Sequence, residues 1–244
     1  MSALRTGVDE AGRGPVIGPL VVCALCIPES DSGVLKSIGA RDSKDLSSQR
    51  REAVAKRIHA EAGAREWGIG LVVCEASRID ANSISSDLNS LEIELFGEAI
   101  EAASPREGEG RVMADACDVD EERFAKRLAS RLGEGWSSWQ VVARHGMDSD
   151  DRVAGAASIL AKVERDAGVA RLEAEVGIRL GSGYPSDQIT RQAVRGLVSG
   201  ELPHDCLRWS WSTVSDAWYE AHGTPVPARS ADGAAPVQSS LDEW

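Results

Sequence analysis

Two adjacent acids, Asp9 and Glu10, follow an apolar residue in the stretch GVDEAGRGPVIGPLVV, Gly7 to Val22. A third, Asp115, closes the short segment RVMAD, 111 to 115, and Asp148, Asp150 and Asp151 stand just before a long helical pattern. Ligands of α/β sheets bind outside the carboxyl ends of the strands, where Asp9 and Asp115 are candidates to stand. Carboxylates converging on one point repel one another and hold their protons more tightly, a conflict that a divalent cation removes. Oxygen-only ligands favour Mg²⁺ or Mn²⁺ over zinc. Two such ions can activate a water and steady the leaving oxygen of a phosphodiester, so the chemistry suggested is metal-dependent phosphoryl transfer. The bland alternative is that strand ends meet solvent and acids solubilise them. With 39 acids in the chain that alternative is strong for any single one, and we assign Asp118, Asp120, Asp150 and Asp151 to it.

The glycines after Glu10 test a second chemistry. GRGPVIG is not GxGxxG, because its last gap is three residues, and no Gly-Lys-Ser/Thr follows to make a phosphate loop. What remains is Arg13 between Gly12 and Gly14: a planar fork of donors beside exposed backbone groups, or simply a tight turn with a surface arginine.

These residues need elements to position them. Leu4–Val8 reads as a short strand ending at the acids, and LVVCALCI, 20 to 27, as a second, buried strand. Helical spacing runs from about Ser47 to Ala62, with Val54 and Ile58 one turn apart. WGIGLVVCE, 67 to 75, is a further strand; Leu88, Leu91, Leu95 and Ala99 mark one helix face; 111–115 and 139–145 are strands; 121–132 and 154–176 are helices. Strands followed by helices predict an α/β sheet domain. After about residue 180 the pattern is mainly turns and helix. The expected organisation is a catalytic domain over 1–180, a helical part over 181–222, a flexible linker over 223–237 rich in proline, alanine, glycine and serine, and a terminal peptide, 238–244.

Composition bounds the function. The chain has 244 residues, 42% of them hydrophobic, and no apolar run long enough for a membrane span. No signal peptide is visible, so a cytoplasmic protein is expected; a monomer is the prior for its oligomeric state. The five cysteines, Cys23, Cys26, Cys74, Cys117 and Cys206, are odd in number and irregularly spaced, a poor disulfide framework, and read as small buried hydrophobes. The net charge is −12, and lysines are scarce among the 27 basic residues. Acid excess argues against a nucleic-acid partner only as a whole-chain sum, since a local basic face, to which Lys162 and Arg165 would belong, can coexist with it.

At this point the sequence resembles the ribonuclease HII family, in particular its archaeal branch. The resemblance is carried by DEAGRGPVIGPLVV, 9 to 22, RDSKDLS, 41 to 47, ADACDVDEERF, 114 to 124, DRVAGAASILAKVERD, 151 to 166, GSGYPSD, 181 to 187, and LRWSWST, 207 to 213. It implies a ribonuclease H-like mixed sheet flanked by helices, with a small C-terminal helical part. It implies cleavage of the RNA strand of RNA·DNA hybrids and nicking on the 5′ side of a single ribonucleotide in duplex DNA, leaving 5′-phosphate and 3′-hydroxyl ends. The metal ligands, and with them the catalytic set, map onto Asp9, Glu10, Asp115 and Asp148. Asp148 is preferred over Asp150 and Asp151 because it stands ten residues before Ser158, as the family's fourth acid stands before its equivalent serine. RHGM, 144 to 147, departs from the family by placing Gly146 where a lysine is usual. The resemblance further implies that Gly12, Arg13 and Gly14 contact the 2′-hydroxyl and flanking phosphates through backbone groups, and that Tyr184 bonds the same hydroxyl. Lys44, with Ser43 assisting, would contact phosphate. Arg208 is expected near the substrate or as a brace of the C-terminal part, and His145 as structural as readily as catalytic. Rival readings are the sister ribonuclease HIII, against which the short segment before Asp9 argues, and a noncatalytic hybrid-binding module.

The terminal QSSLDEW places Gln238, Leu241 and Trp244 at the spacing of a sliding-clamp binding box, in which one short helical turn sets the aliphatic and the aromatic into a single apolar groove.

Overall fold

The computed structural model describes residues 3–40, 46–105 and 108–229. Ser43, Lys44, Gln238, Leu241 and Trp244 lie outside the described residues.

Five strands form one mixed sheet: β1 (Leu4–Ala11), β2 (Leu20–Pro28), β3 (Gly68–Cys74), β4 (Gly110–Asp115) and β5 (Trp139–Arg144), in the order β3-β2-β1-β4-β5. The meander β1–β2–β3 is antiparallel; β1–β4 and β4–β5 are parallel. Among the described residues the helices are α1 (Ser32–Ser37), α2 (Ser48–Arg65), α3 (Ala76–Ser83), α4 (Leu88–Ala103), α5 (Glu121–Leu132), α6 (Met147–Asp150), α7 (Arg152–Val176), α8 (Gln188–Leu197) and α9 (Ser212–His222). The expected α/β class with a mixed, helix-flanked sheet is what the chain adopts.

The chain divides into two compact units, each built from separated stretches. The first comprises residues up to Arg13, Leu20–Cys74 and Asn89–Ala167; the second comprises Gly14–Pro19, Glu75–Leu88 and the residues from Gly168 on.

In the first unit the sheet is covered on both faces, which is why β2 reads as an unbroken apolar run rather than an alternation. Val21, Cys23, Leu25 and Ile27 pack with Val54, Ile58, Ala157 and Leu160 of α2 and α7. On the other face α4 lies so close to β3 that a Cβ on Gly68 or Gly70 would meet the carbonyls of Ala103 and Ala99 at 1.7 and 1.9 Å. Phe96 of α4 and Phe124 of α5 meet edge to face, centroids 5.4 Å apart. Helix ends follow local chemistry. Asp120 accepts Arg123 N at 2.9 Å and starts α5, which presents Phe124, Leu128 and Leu132 at i, i+4 spacing. Asp151 accepts the N–H groups of Val153 and Ala154 at 2.9 and 3.0 Å at the head of α7.

The first strand runs three residues beyond its expected end, carrying Asp9 and Glu10 inside it opposite Cys23 and Val22. Its parallel ladder with β4 stops at Val8–Ala114. The long β2 partner sustains the strand after β4 has ended, so the acids keep their backbone bonds on one side and open laterally on the other. β1 also passes directly beneath α7: a Cβ on Gly7 would lie 2.1 Å from Ala154 N.

In the second unit Val16, Ile17, Val194, Leu197, Leu207, Trp209, Val214 and Trp218 form the core. The segment 14–19 is stitched in by Val16 N to Gly183 O at 2.8 Å and Arg208 N to Val16 O at 3.0 Å. Asp80 of α3, a helix the sequence reading passed over, accepts Trp209 N, Ser210 N and Ser210 Oγ. Residues 223–229, expected as the start of a flexible linker, reach an anchor instead. The Arg229 side chain is 7% exposed, donates to Asp205 O and Leu207 O and lies over Trp209 at 4.4 Å. The cause is a single guanidinium that finds carbonyls, a carboxylate and a ring in one place.

Candidate active site

The ends of two adjacent parallel strands bring three of the expected acids together. Ligand oxygens of Asp9, Glu10 and Asp115 lie within 4.8 Å of one another. Glu10 N donates to Asp9 Oδ1 at 2.7 Å. Burial, then the charge of Glu10, pushes the Asp9 carboxyl well above the usual range; a hydrogen bond from Ser158 and the charge of Lys162 pull the other way. Lys162 Nζ donates to Ser158 Oγ at 2.9 Å, so one turn of α7 supplies both counterweights. Burial also raises Glu10, and the charges of Glu92 and Asp115 add to it. Glu10 Oε2 is buried and accepts no hydrogen bond. An all-oxygen donor set, proton affinities raised by burial and by neighbouring acids, and an orphaned carboxylate oxygen together fit a divalent cation.

Asp115 also bonds the segment that carries the expected fourth acid, Asp148. The Asp115 Oδ1 accepts Met147 N at 2.8 Å, which fixes α6 against the end of β4. Asp148, the next residue, is buried and lines a cavity of about 400 Å³ with Arg5, Asp150, Asp151 and Arg152. Among the described residues, the carboxyl groups that close to within 4.8 Å as an all-acid triple are Asp9, Glu10 and Asp115. Asp148 is not a member of that triple; it follows Met147, whose N–H bonds Asp115.

Two acids assigned to solvent are not solvent acids. Asp118 is 2% exposed; it accepts Arg123 Nε at 2.9 Å and a second short bond from Arg123 Nη2. These bonds hold its carboxyl at about 2. Asp151 is buried, pairs with Arg5 at 2.7 Å and caps α7. Asp120 and Asp150 are exposed as expected. His145 bonds the Asp118 carbonyl at 2.7 Å and sits 3.2 Å from Glu121, which makes it a strut of the β4–α5 connection. The five cysteines are free, and all but Cys117 are buried.

Arg13 does not project as a surface fork. Its Nη1 bonds Glu92 Oε2 and the Cys117 carbonyl, the latter at 3.1 Å, and its Nη2 bonds Asn89 Oδ1 at 2.7 Å. Glu92 is fully buried, and its carboxylate lies within 4.8 Å of Glu10 and the Cys117 thiol. Sequence reasoning missed it. The signal was present: Glu92 stands four residues after Leu88 and three before Leu95, an acid set into the apolar face of α4.

The other expected contacts fall in the second unit. The Tyr184 ring, 41% exposed, lies against Gly14, where a Cβ would come 3.5 Å from Cε1. Its loop is built on Asp187, whose carboxylate accepts Ser182 N at 2.7 Å and Ile189 N at 2.9 Å, and on Thr190, which accepts Gly183 N at 3.0 Å. Arg208 is buried completely. It donates Nε and Nη2 to Gly18 O at 3.2 and 3.0 Å and lies over Trp211, the bracing arrangement of the two expected for it.

Comparison with known proteins agrees with this geometry. The family model "Ribonuclease HII" matches residues 6–214. The chain belongs to the ribonuclease HII family. Ribonuclease HII of Haloarcula marismortui is 43% identical over 215 residues, covering 87% of this chain and 94% of that protein. The ribonuclease H2 structure from Pyrococcus horikoshii superposes with a TM-score of 0.78 at 31% identity, covering 91% of this chain and all of that one. Ribonuclease HII of Archaeoglobus fulgidus, solved in complex with PCNA, gives 0.74 at 35% identity over 87% of this chain and 96% of that one. The sheet is thus the ribonuclease H-like fold, and the chain is a type 2 ribonuclease H, an endoribonuclease of RNA·DNA hybrids. No helix among the described residues is long and apolar enough to cross a membrane.

Proposed function

We propose that this ribonuclease HII is a divalent-metal-dependent endonuclease that cuts the RNA strand of hybrids and nicks duplex DNA 5′ to a single embedded ribonucleotide. The observation that carries the proposal is the convergence of Asp9, Glu10 and Asp115, with the buried Glu10 Oε2 left without a partner. Together with Asp148 they would hold two ions, Mg²⁺ or Mn²⁺. When bound, such ions supply a water of lowered pKa and a counter-charge for the departing 3′ oxygen. The protein's share is to keep the acids at strand ends, to set Asp148 through the Asp115–Met147 bond, and to hold Ser158 and Lys162 on Asp9.

Ribose is told from deoxyribose by its 2′-hydroxyl, which both donates and accepts. Backbone groups of Gly12, Arg13 and Gly14, with the Tyr184 hydroxyl, are our candidates to read it. The packing of Tyr184 on Gly14 supports the pairing: a Cβ at position 14 would already be in van der Waals contact with the ring. Residues 181–222 serve as the substrate-binding helical part, in which Arg208 acts by bracing Gly18 beside that segment. Ser43 and Lys44 contact phosphate. The stretch after Arg229 tethers residues 238–244, which bind a sliding clamp through Gln238, Leu241 and Trp244. The Archaeoglobus relative solved with PCNA supports that assignment. We take the enzyme to act as a monomer in the cytoplasm.

The chemistry of the ends tests the reaction class. Products of a long hybrid should carry 5′-phosphates and be consumed by an exonuclease that requires them. Products with 5′-hydroxyl and cyclic phosphate ends would mean that the 2′-hydroxyl itself attacked, and the proposal would fall.

A further inference from the structure

Arg13 lies in the turn given to ribose recognition, yet its guanidinium faces inward. Three acceptors hold it: the Glu92 carboxylate, Asn89 Oδ1 and the Cys117 carbonyl. Two of them come one helical turn apart on α4, and the third follows β4 two residues after Asp115. A planar guanidinium held by acceptors from two directions fixes its own plane and its backbone. Glu92 is the charged member of that clamp and is wholly buried, whereas the Arg13 side chain is 34% exposed. Burying a carboxylate costs less when it is paired with a permanent cation, and breaking such a pair leaves an uncompensated buried charge, so the pair favours this geometry. Glu92 also lies beside Glu10, whose carboxyl its charge raises. Glu10, Glu92 and Cys117 form a second group of donors within 4.8 Å, so Glu92 has two conceivable roles: ligand of the ion, or anchor of the turn.

We infer that Glu92 is a positioning residue: it anchors Arg13 and thereby sets the backbone of Gly12–Arg13–Gly14 for the 2′-hydroxyl. This rests on the reading of that turn given above. The geometry explains the choice: Glu92 Oε2 is bonded to a permanent cation, and the all-acid triple of Asp9, Glu10 and Asp115 closes without Glu92.

The test is a double-mutant cycle of Glu92→Gln and Arg13→Gln. It is read as kcat and KM on a duplex with one ribonucleotide, as hybrid-over-DNA binding preference by fluorescence anisotropy in Ca²⁺, and as Mn²⁺ affinity by calorimetry. Each single variant should lose about 10- to 100-fold in kcat/KM, the range over which supporting partners of a site act. The double variant should lose no more than either. Hybrid preference should fall in parallel, and Mn²⁺ affinity should stay within about threefold. Asn89→Ala, which removes a neutral member of the clamp, should show the same pattern more weakly and serves if Glu92→Gln fails to fold. Additive losses, or an Mn²⁺ affinity that collapses in Glu92→Gln while hybrid preference survives, would overturn the inference. A wild type that prefers hybrids but cuts nothing would count against the cleavage reading alone, and the binding arm would still decide this one.

Discussion

Burial and the neighbouring Glu10 both raise the Asp9 carboxyl well above its usual range. A carboxyl whose folded pKa lies above its unfolded value of about 3.9 makes the folded state bind more protons, so stability falls as pH rises through that window. Asp9 and Glu10 both shift upward. The chelated protein should therefore melt lower at pH 7.5 than at pH 5.5, and Mn²⁺ should raise its Tm more at the higher pH. Asp9→Asn should remove much of both effects. Thermal melts at the two pH values check this, and a cation-induced rise that ignores pH would contradict it. The site acids were legible because they end apolar segments. The structural acids were not. Asp118 and Asp151 look like their exposed neighbours until Arg123 and the distant Arg5 are seen to hold them. Glu92 was legible only to a reading that asks why an acid occupies an apolar register.

The elements matter for how closely they pass. Gly7 lets β1 run under the backbone of α7, the helix that brings Ser158 and Lys162 to Asp9. Gly7→Ala would drive a methyl into the Ala154 amide. It should destabilise the protein by at least about 1–3 kcal/mol, the cost of overpacking, and weaken catalysis in whatever remains folded. Gly63→Ala, in α2 with open space around it, should instead stabilise by roughly 0.5–1 kcal/mol. Urea unfolding of both variants checks the pair. The longer elements were readable from their periods and caps: α5 begins and ends as its pattern predicts. The four-residue α6 is too short for any period, although it sets Asp148. The full length of β1 depends on β2, a non-local partner that no local pattern reveals.

At the scale of the whole molecule, a chain of net charge −12 acts on a polyanion. Acids that would take up divalent cations, and a terminal peptide that would borrow a clamp partner, reconcile the two. Deleting residues 238–244 should leave kcat/KM on a short duplex within about twofold while abolishing clamp binding in a surface-immobilised assay, since linked binding raises effective concentration without touching the chemistry. Loss of activity on the short duplex would show the peptide to be part of the catalytic body.

The most direct test is strand cleavage of a DNA duplex carrying one ribonucleotide, in Mg²⁺, beside an all-DNA duplex and the Asp115→Asn and Asp148→Asn variants. One nick is expected, 5′ to the ribonucleotide, absent from the all-DNA duplex. Both variants should be slowed by at least about 100-fold, the scale on which one electrostatic stabiliser of a transition state acts. Normal cutting by Asp148→Asn would remove Asp148 from the site and point to its exposed neighbour Asp150. An intact duplex beside a cleaved long hybrid would contradict the role given to Gly12–Gly14 and Tyr184.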